Sequence, residues 1–242
     1  MHGAFNELWG PNELRGRWLP ALRDGLWHHG ADVDEADVAV AFYGDVFRHD
    51  PEVSDPPAMT QARADASRAL DGLAGGDLLG AIQMAANTAA FERTVDMVAT
   101  MMAKPDLGDQ VRGRIAAAIT PETRVVIAHS LGSIVTYRTL GEHPELEVPL
   151  FVTIGSPLGS PMVFDMLTPA PVDGVGAWPG GVQRWVNVAA VGDKATAVAR
   201  LADRFGPRVE DRLVDNGHRA HDPEPYLNSP ATGQVVAEAL GA

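Results

Sequence analysis

Cysteine is missing from this 242-residue chain. That excludes disulfides, a thiol nucleophile and thiolate metal sites, and it fits a reducing compartment. Lysine is nearly missing as well. Only Lys104 and Lys194 occur, and arginine carries the rest of the positive charge. That bias reads as codon composition rather than chemistry. Positive charge of any kind is short, and the formal net charge is −13. Such a chain repels a phosphate backbone and, more weakly, an anionic membrane surface, so no nucleic-acid partner is expected. No apolar run reaches the roughly 18 residues of a membrane span, so no stable membrane anchor is expected either. The opening stretch MHGAFNELWG lacks the basic segment and apolar core of a signal peptide, and the expected location is cytoplasmic. Internal repeats and Gly/Ser-rich linkers are also lacking, so residues 1–242 read as one domain. What remains, 45% hydrophobic and 21% charged residues, is the composition of a globular chain with a sizeable core.

Short apolar runs mark strands at 38–43 (VAVAFY), 124–128, 150–154 (LFVTI) and 185–191 (WVNVAAV). A weaker run at 208–214 (RVEDRLV) alternates in polarity as an edge strand does. Helical patterns at 13–26, 132–141 and 231–240 separate them. Strands alternating with helices imply βαβ units and a mostly parallel sheet. Two stretches depart from that alternation. Residues 57–119 form an Ala-rich helical insert, broken at Gly75-Gly76 and at Lys104-Pro105-Asp106 into two long helices and a shorter one. Met84, Met97, Met101 and Met102 fall in its middle helix. Methionine commonly fills gaps in a core; alternatively the insert is a cap whose soft apolar face lines a pocket, with Met97 and Met101 as substrate-binding candidates. The second stretch, 156–182, is rich in Pro and Gly and reads as a long loop leaving the carboxyl end of a strand, where parallel sheets build their sites.

One segment carries chemistry. In RVVIAHSLGSIV, residues 124–135, a buried strand runs into Ser130, and an apolar helix pattern begins at once. Ser-Leu-Gly is acceptable turn material and needs no other explanation. A serine on a sharp strand-to-helix turn is also the nucleophile elbow, G-x-S-x-G, whose strain demands small neighbours. Here Ala128 and Gly132 take the flanking positions, with alanine in place of the first glycine.

A serine hydroxyl is a poor nucleophile near neutral pH and needs a base that a carboxylate orients. With an elbow of this kind the acid and then the base follow later in the chain. Asp193 stands at the carboxyl end of WVNVAAV, although the same residue also suits a turn or a helix N-cap. Asp211 and Asp215 are substitutes; Asp211 lies in the weak edge strand, where it is expected to be solvated. The base comes from DNGHRAHDPEPYL, with His218 placed on the Asn216-Gly217 turn and His221 ahead of the last helix. His221 is favoured. The H-x-x-H spacing of the two lacks the helical context and third ligand of a metal pair, so no metal is expected.

Together VVIAHSLGSIVTY, FVTIGSPLGSP, VNVAAVGDKAT and the late H-D-P-x-x-Y-L resemble the serine lipase/esterase branch of the α/β-hydrolase superfamily. They are most similar to its lipase-like and GPI-inositol-deacylase-like bacterial members. The resemblance covers residues 1–50 and 120–242 and leaves the helical insert uncovered. It implies a three-layer α/β fold, a mostly parallel central sheet flanked by helices with a helical cap inserted. It implies Ser130 as nucleophile, Asp193 as acid and His221 as base, with His129 a packing residue. His2-Gly3 matches the His-Gly pair after which a backbone N–H helps to form the oxyanion hole; here that donor is Ala4, and Leu131 supplies the second. In this family a central strand precedes the pair, whereas Met1 stands one residue before it, so the sequence is expected to begin short of that strand.

The activity implied is hydrolysis of a carboxylic ester or thioester through an acyl-serine, on a small-molecule or lipid substrate, without cofactor or metal. The same residues serve acyl transfer or amide cleavage. A catalytically dead hydrolase fold kept for binding is the reading from another class: the missing strand favours it, and the intact Ser-Asp-His set disfavours it. Nothing in the sequence points to an oligomeric state.

Overall fold

A computed structural model describes residues 1–4, 6–48, 59–65, 100, 104, 106–196 and 198–242, with Met162 described by its backbone alone. Met84, Met97, Met101 and Met102, and with them most of the expected cap, lie outside the described residues. Within the insert, residues 59–65 and 106–117 are helical.

Among the described residues the sheet has four parallel strands in the order of the chain: β1 (Val125–His129), β2 (Val148–Ile154), β3 (Val182–Ala190) and β4 (Val209–Val214). Side chains alternate across it, as the period of a strand requires. Val126, Ala128, Phe151 and Trp185 face one core; Leu150, Val152, Ile154, Val186 and Val188 face the other. The first core is covered by α2 (Asp106–Ala117), α3 (Leu131–Glu142), α4 (Pro161–Asp165) and α5 (Ala202–Phe205). The second is covered by α1 (Pro11–Trp27), α6 (Pro223–Leu227) and α7 (Pro230–Leu240). Helices on both faces of a parallel sheet place the chain in the α/β class. Trp185, Tyr137, Tyr226 and Phe151 are among the largest fully buried side chains, each contributing about 1.5–3 kcal/mol by leaving water.

Local signals set the helix ends. Ser229 accepts the Thr232 N–H at the start of α7, Pro230 takes the first position, and Gly241 closes the helix in the left-handed region at φ 85°. Among the described residues no helix is long and apolar enough to cross a membrane.

One expected strand is absent. Residues 38–43 form neither helix nor strand and join no sheet among the described residues. Their periodicity is real, since Ala41 and Tyr43 are buried, yet a strand also needs a backbone edge to pair with. The open edge of β1 is met by Met1 instead, through Met1 N to the Ile127 carbonyl at 2.7 Å and His129 N–H to the Met1 carbonyl at 3.1 Å. A cavity of about 720 Å³ separates that edge from residues 38–41. The tip of the segment is tied elsewhere: Tyr43 N–H donates to His2 Nε2 at 3.1 Å, and the Tyr43 hydroxyl donates to the His2 carbonyl.

Candidate active site

The carboxyl ends of four successive strands deliver one residue each. Ser130 follows β1, Gly155 follows β2, Asp193 follows β3, and His221 stands on the turns after β4. Parallel strands make this possible because their ends and exit loops all lie on one rim.

Ser130 adopts φ 54° and ψ −131°, backbone angles costly for any side chain but glycine's. The elbow is held from both sides. Its N–H donates to the Ile154 carbonyl at 3.1 Å, and its carbonyl accepts from Ser133 N–H at 2.9 Å and Ser133 Oγ at 2.6 Å. The Ser133 hydroxyl is buried and bonded in turn to Ser156 Oγ at 2.7 Å. The small residues around the serine answer to packing. A methyl on Gly132 would overlap the His2 carbonyl, and one on Gly3 would lie 2.9 Å from Ser130 Cβ. The His2-Gly3 backbone is therefore laid directly against the elbow.

His221 Nε2 is 2.9 Å from Ser130 Oγ, and its Nδ1 is 3.1 and 3.0 Å from the two Asp193 oxygens. A carboxylate can only accept, so Nδ1 carries the proton and Nε2 is left to accept from the serine hydroxyl. Exposure falls along this chain: the His221 side chain is 40% exposed and that of Asp193 only 1%. Burial pushes the Asp193 carboxyl pKa up; the bond and charge of His221, with donors from Tyr226 and Ala195 N–H, outweigh it and hold the group below the usual range. The structure thus brings Ser130, His221 and Asp193 together in one hydrogen-bonded chain. His218 is exposed on a 3₁₀ turn, Gly217–Arg219, and Asp215 is exposed and accepts from Gly217 N–H at 2.9 Å. Asp211 corrects the sequence reading, because it is not simply solvated. It accepts Asn187 Nδ2 and Leu201 N–H at 2.9 Å each and Ala202 N–H at 3.0 Å, and so caps α5.

The N–H groups of Ala4 and Leu131 have no acceptor among the described residues. Leu131 opens α3, where the first N–H groups of a helix lack intrahelical partners. Near Ala4 the loop is braced by Asn6, whose Nδ2 donates to the carbonyls of Gly3 at 3.0 Å and Ala4 at 2.8 Å. Among the described residues no group of three or more His, Asp or Glu side chains is placed to hold a metal ion.

Sequence reasoning assigned His129 to packing and missed its hydrogen bond. Its buried Nε2–H donates to the His221 carbonyl at 2.8 Å, and its ring lies 4.8 Å from that of His221. Asn6 and Tyr226 were missed as well; no local pattern marks Asn6, whereas Tyr226 stands in the quoted H-D-P-x-x-Y-L.

Two of these histidines are buried as neutral rings. Burial lowers the pKa of His129 to about 3 and that of His2 to about 4. Both lie below the unfolded value near 6.5, so the folded state binds fewer protons than the unfolded chain. Their stabilisation is complete above about pH 6.5 and is lost as pH falls toward the folded values; at pH 5 each costs about 2 kcal/mol. The melting temperature should therefore drop steeply between pH 7 and 5, and His129→Gln should flatten that slope. A melting temperature constant over this range would refute the burial of neutral imidazoles.

No family model matches the chain, and neither does any curated protein or solved structure.

Proposed function

We propose that the chain is a serine hydrolase of the α/β-hydrolase kind that cleaves a carboxylic ester or thioester through an acyl-serine intermediate. The observation that carries this reading is the single imidazole of His221, spanning Ser130 Oγ on one nitrogen and the buried Asp193 carboxylate on the other. His221 Nε2 takes the hydroxyl proton as Ser130 Oγ attacks the substrate carbonyl carbon. The carbonyl π-bond opens, and negative charge collects on its oxygen. The N–H groups of Leu131 and Ala4 stabilise that charge, each such donor being worth about 2.7–4 kcal/mol in the transition state. The tetrahedral centre collapses, the bond to the leaving alcohol or thiol breaks, and imidazolium Nε2–H protonates the departing atom. Water then repeats the sequence on the acyl-serine, giving the acid and free Ser130. Asp193 stays ionised throughout, fixing the His221 tautomer and stabilising its cation.

A fluorophosphonate probe tests this reading. It should label the protein once, on Ser130 by peptide mapping, and p-nitrophenyl esters of rising chain length should turn over with a burst of one p-nitrophenolate per chain. Absence of labelling, or a label on another serine, would refute it.

A further inference from the structure

We propose that Tyr226 is a positioning residue for the acid–base pair: its hydroxyl donates to Asp193 Oδ2 and keeps the carboxylate aligned on His221 Nδ1. The inference rests on the serine-hydrolase reading above and deepens it.

Tyr226 is fully buried in α6, which begins two residues after His221. Its hydroxyl accepts the N–H of Ala190 at 2.9 Å and lies 2.6 Å from Asp193 Oδ2. Because the Ala190 N–H occupies its acceptor side, the hydroxyl proton is directed at the carboxylate. Burial and the adjacent Asp193 charge hold that proton on the phenol well above the usual range for tyrosine. One side chain thus joins the last residue of β3, the acid and the helix that follows the base.

Asp193 has little else to hold it. With its side chain 1% exposed, water is excluded, and its other donors are Ala195 N–H at 2.9 Å on Oδ1 and His221 itself. Without the phenol, Oδ2 keeps more of its charge and is held by His221 Nδ1 alone. A short charge-assisted bond draws electron density from the carboxylate and so moderates its pull on the imidazole proton. Removing the bond should therefore make His221 hold its proton to higher pH. The other polar groups facing the pair are Ser130, and His129 with the buried Met1 amine behind it. Arg219, Asp222 and Glu224 pair with one another at the surface.

Tyr226→Phe tests the proposal. The pH at which the His221 imidazole titrates, followed by NMR, should rise by roughly half a unit or more. Turnover of a p-nitrophenyl ester should fall roughly tenfold in kcat, the rate equivalent of one charge-assisted hydrogen bond, with KM little changed. Incorporating 3-fluorotyrosine at position 226 keeps the shape and strengthens the donor, and should move the titration the other way. A Phe variant that melts lower but leaves the His221 titration and kcat unchanged overturns the proposal and makes Tyr226 a packing residue. Where the Phe variant does not fold, the fluorotyrosine protein decides: a downward shift supports the proposal and no shift overturns it. The NMR readout needs no turnover, so it is separable from the labelling of Ser130 that tests the hydrolase reading.

Discussion

Ser130→Ala should abolish ester turnover, by at least about 10⁴-fold in kcat, and leave the melting temperature within about a degree or two of the parent. Among the described residues the only side-chain partner of Ser130 Oγ is His221 Nε2, so removing the hydroxyl takes away the attacking atom and that hydrogen bond. The elbow itself is held by the backbone at Ile154 and by Ser133, which the change does not touch. Ser130→Gly sharpens the test. At φ 54° and ψ −131° a side chain costs about 1–3 kcal/mol that glycine does not incur, against roughly 0.5–1 kcal/mol for the added freedom of the unfolded chain. The glycine protein should be equally inactive and melt no lower than the parent. Activity and stability then move apart at one residue, as strain kept for chemistry requires. Turnover near the parent level in either variant would refute the nucleophile. A glycine variant melting well below the parent would refute the strain.

How far the sequence carries depends on the distance over which each feature acts. The elbow was legible because its causes are local: a β-branched run, a serine between small residues, an apolar helix repeat. Asp193 and His221 were legible through chain order, since on a parallel sheet each later strand brings its end to the same rim. Features decided by non-local partners were not legible. VAVAFY has the pattern of a strand, but no pattern reports whether a backbone edge is open, and Met1 holds the edge it would need. Asp211 reads as a solvated edge residue until α5 folds back onto its carboxylate from ten residues upstream. His129 has its ring on a carbonyl 92 residues away, and Tyr226 reaches an acid 33 residues before it. The residues themselves were in view; their partners were set by the fold.

Gly155→Ala should lower kcat by about 10²-fold or more while the protein still folds. Gly155 follows β2 in FVTIGSP, and its N–H donates to the Val188 carbonyl at 3.1 Å. Its φ of 54° lies in the region that disfavours a Cβ, so alanine costs about 1–2 kcal/mol of stability on backbone grounds. The larger effect is on the site. A methyl built there would stand 3.1 Å from Tyr226 Cε2, 3.2 Å from Asp193 Oδ2 and 3.3 Å from His221 Nδ1. Each contact is tighter than ordinary van der Waals packing, and all three fall on the junction of acid, base and phenol. Asp193 and Tyr226 are buried and cannot yield, so the displacement falls on the His221 ring, whose side chain is 40% exposed. The methyl must therefore press the imidazole and carboxylate apart by a few tenths of an ångström, breaking the two-oxygen contact on Nδ1 and swinging Nε2 away from Ser130. Labelling by a fluorophosphonate should slow in step with kcat, because both reactions need the same activated hydroxyl. The melting temperature should fall by only about 2–8 °C. If Gly155→Ala labelled and turned over like the parent, the close packing over the acid–base junction would be wrong. If it lost activity only through unfolding, Gly155 would be a turn residue and nothing more.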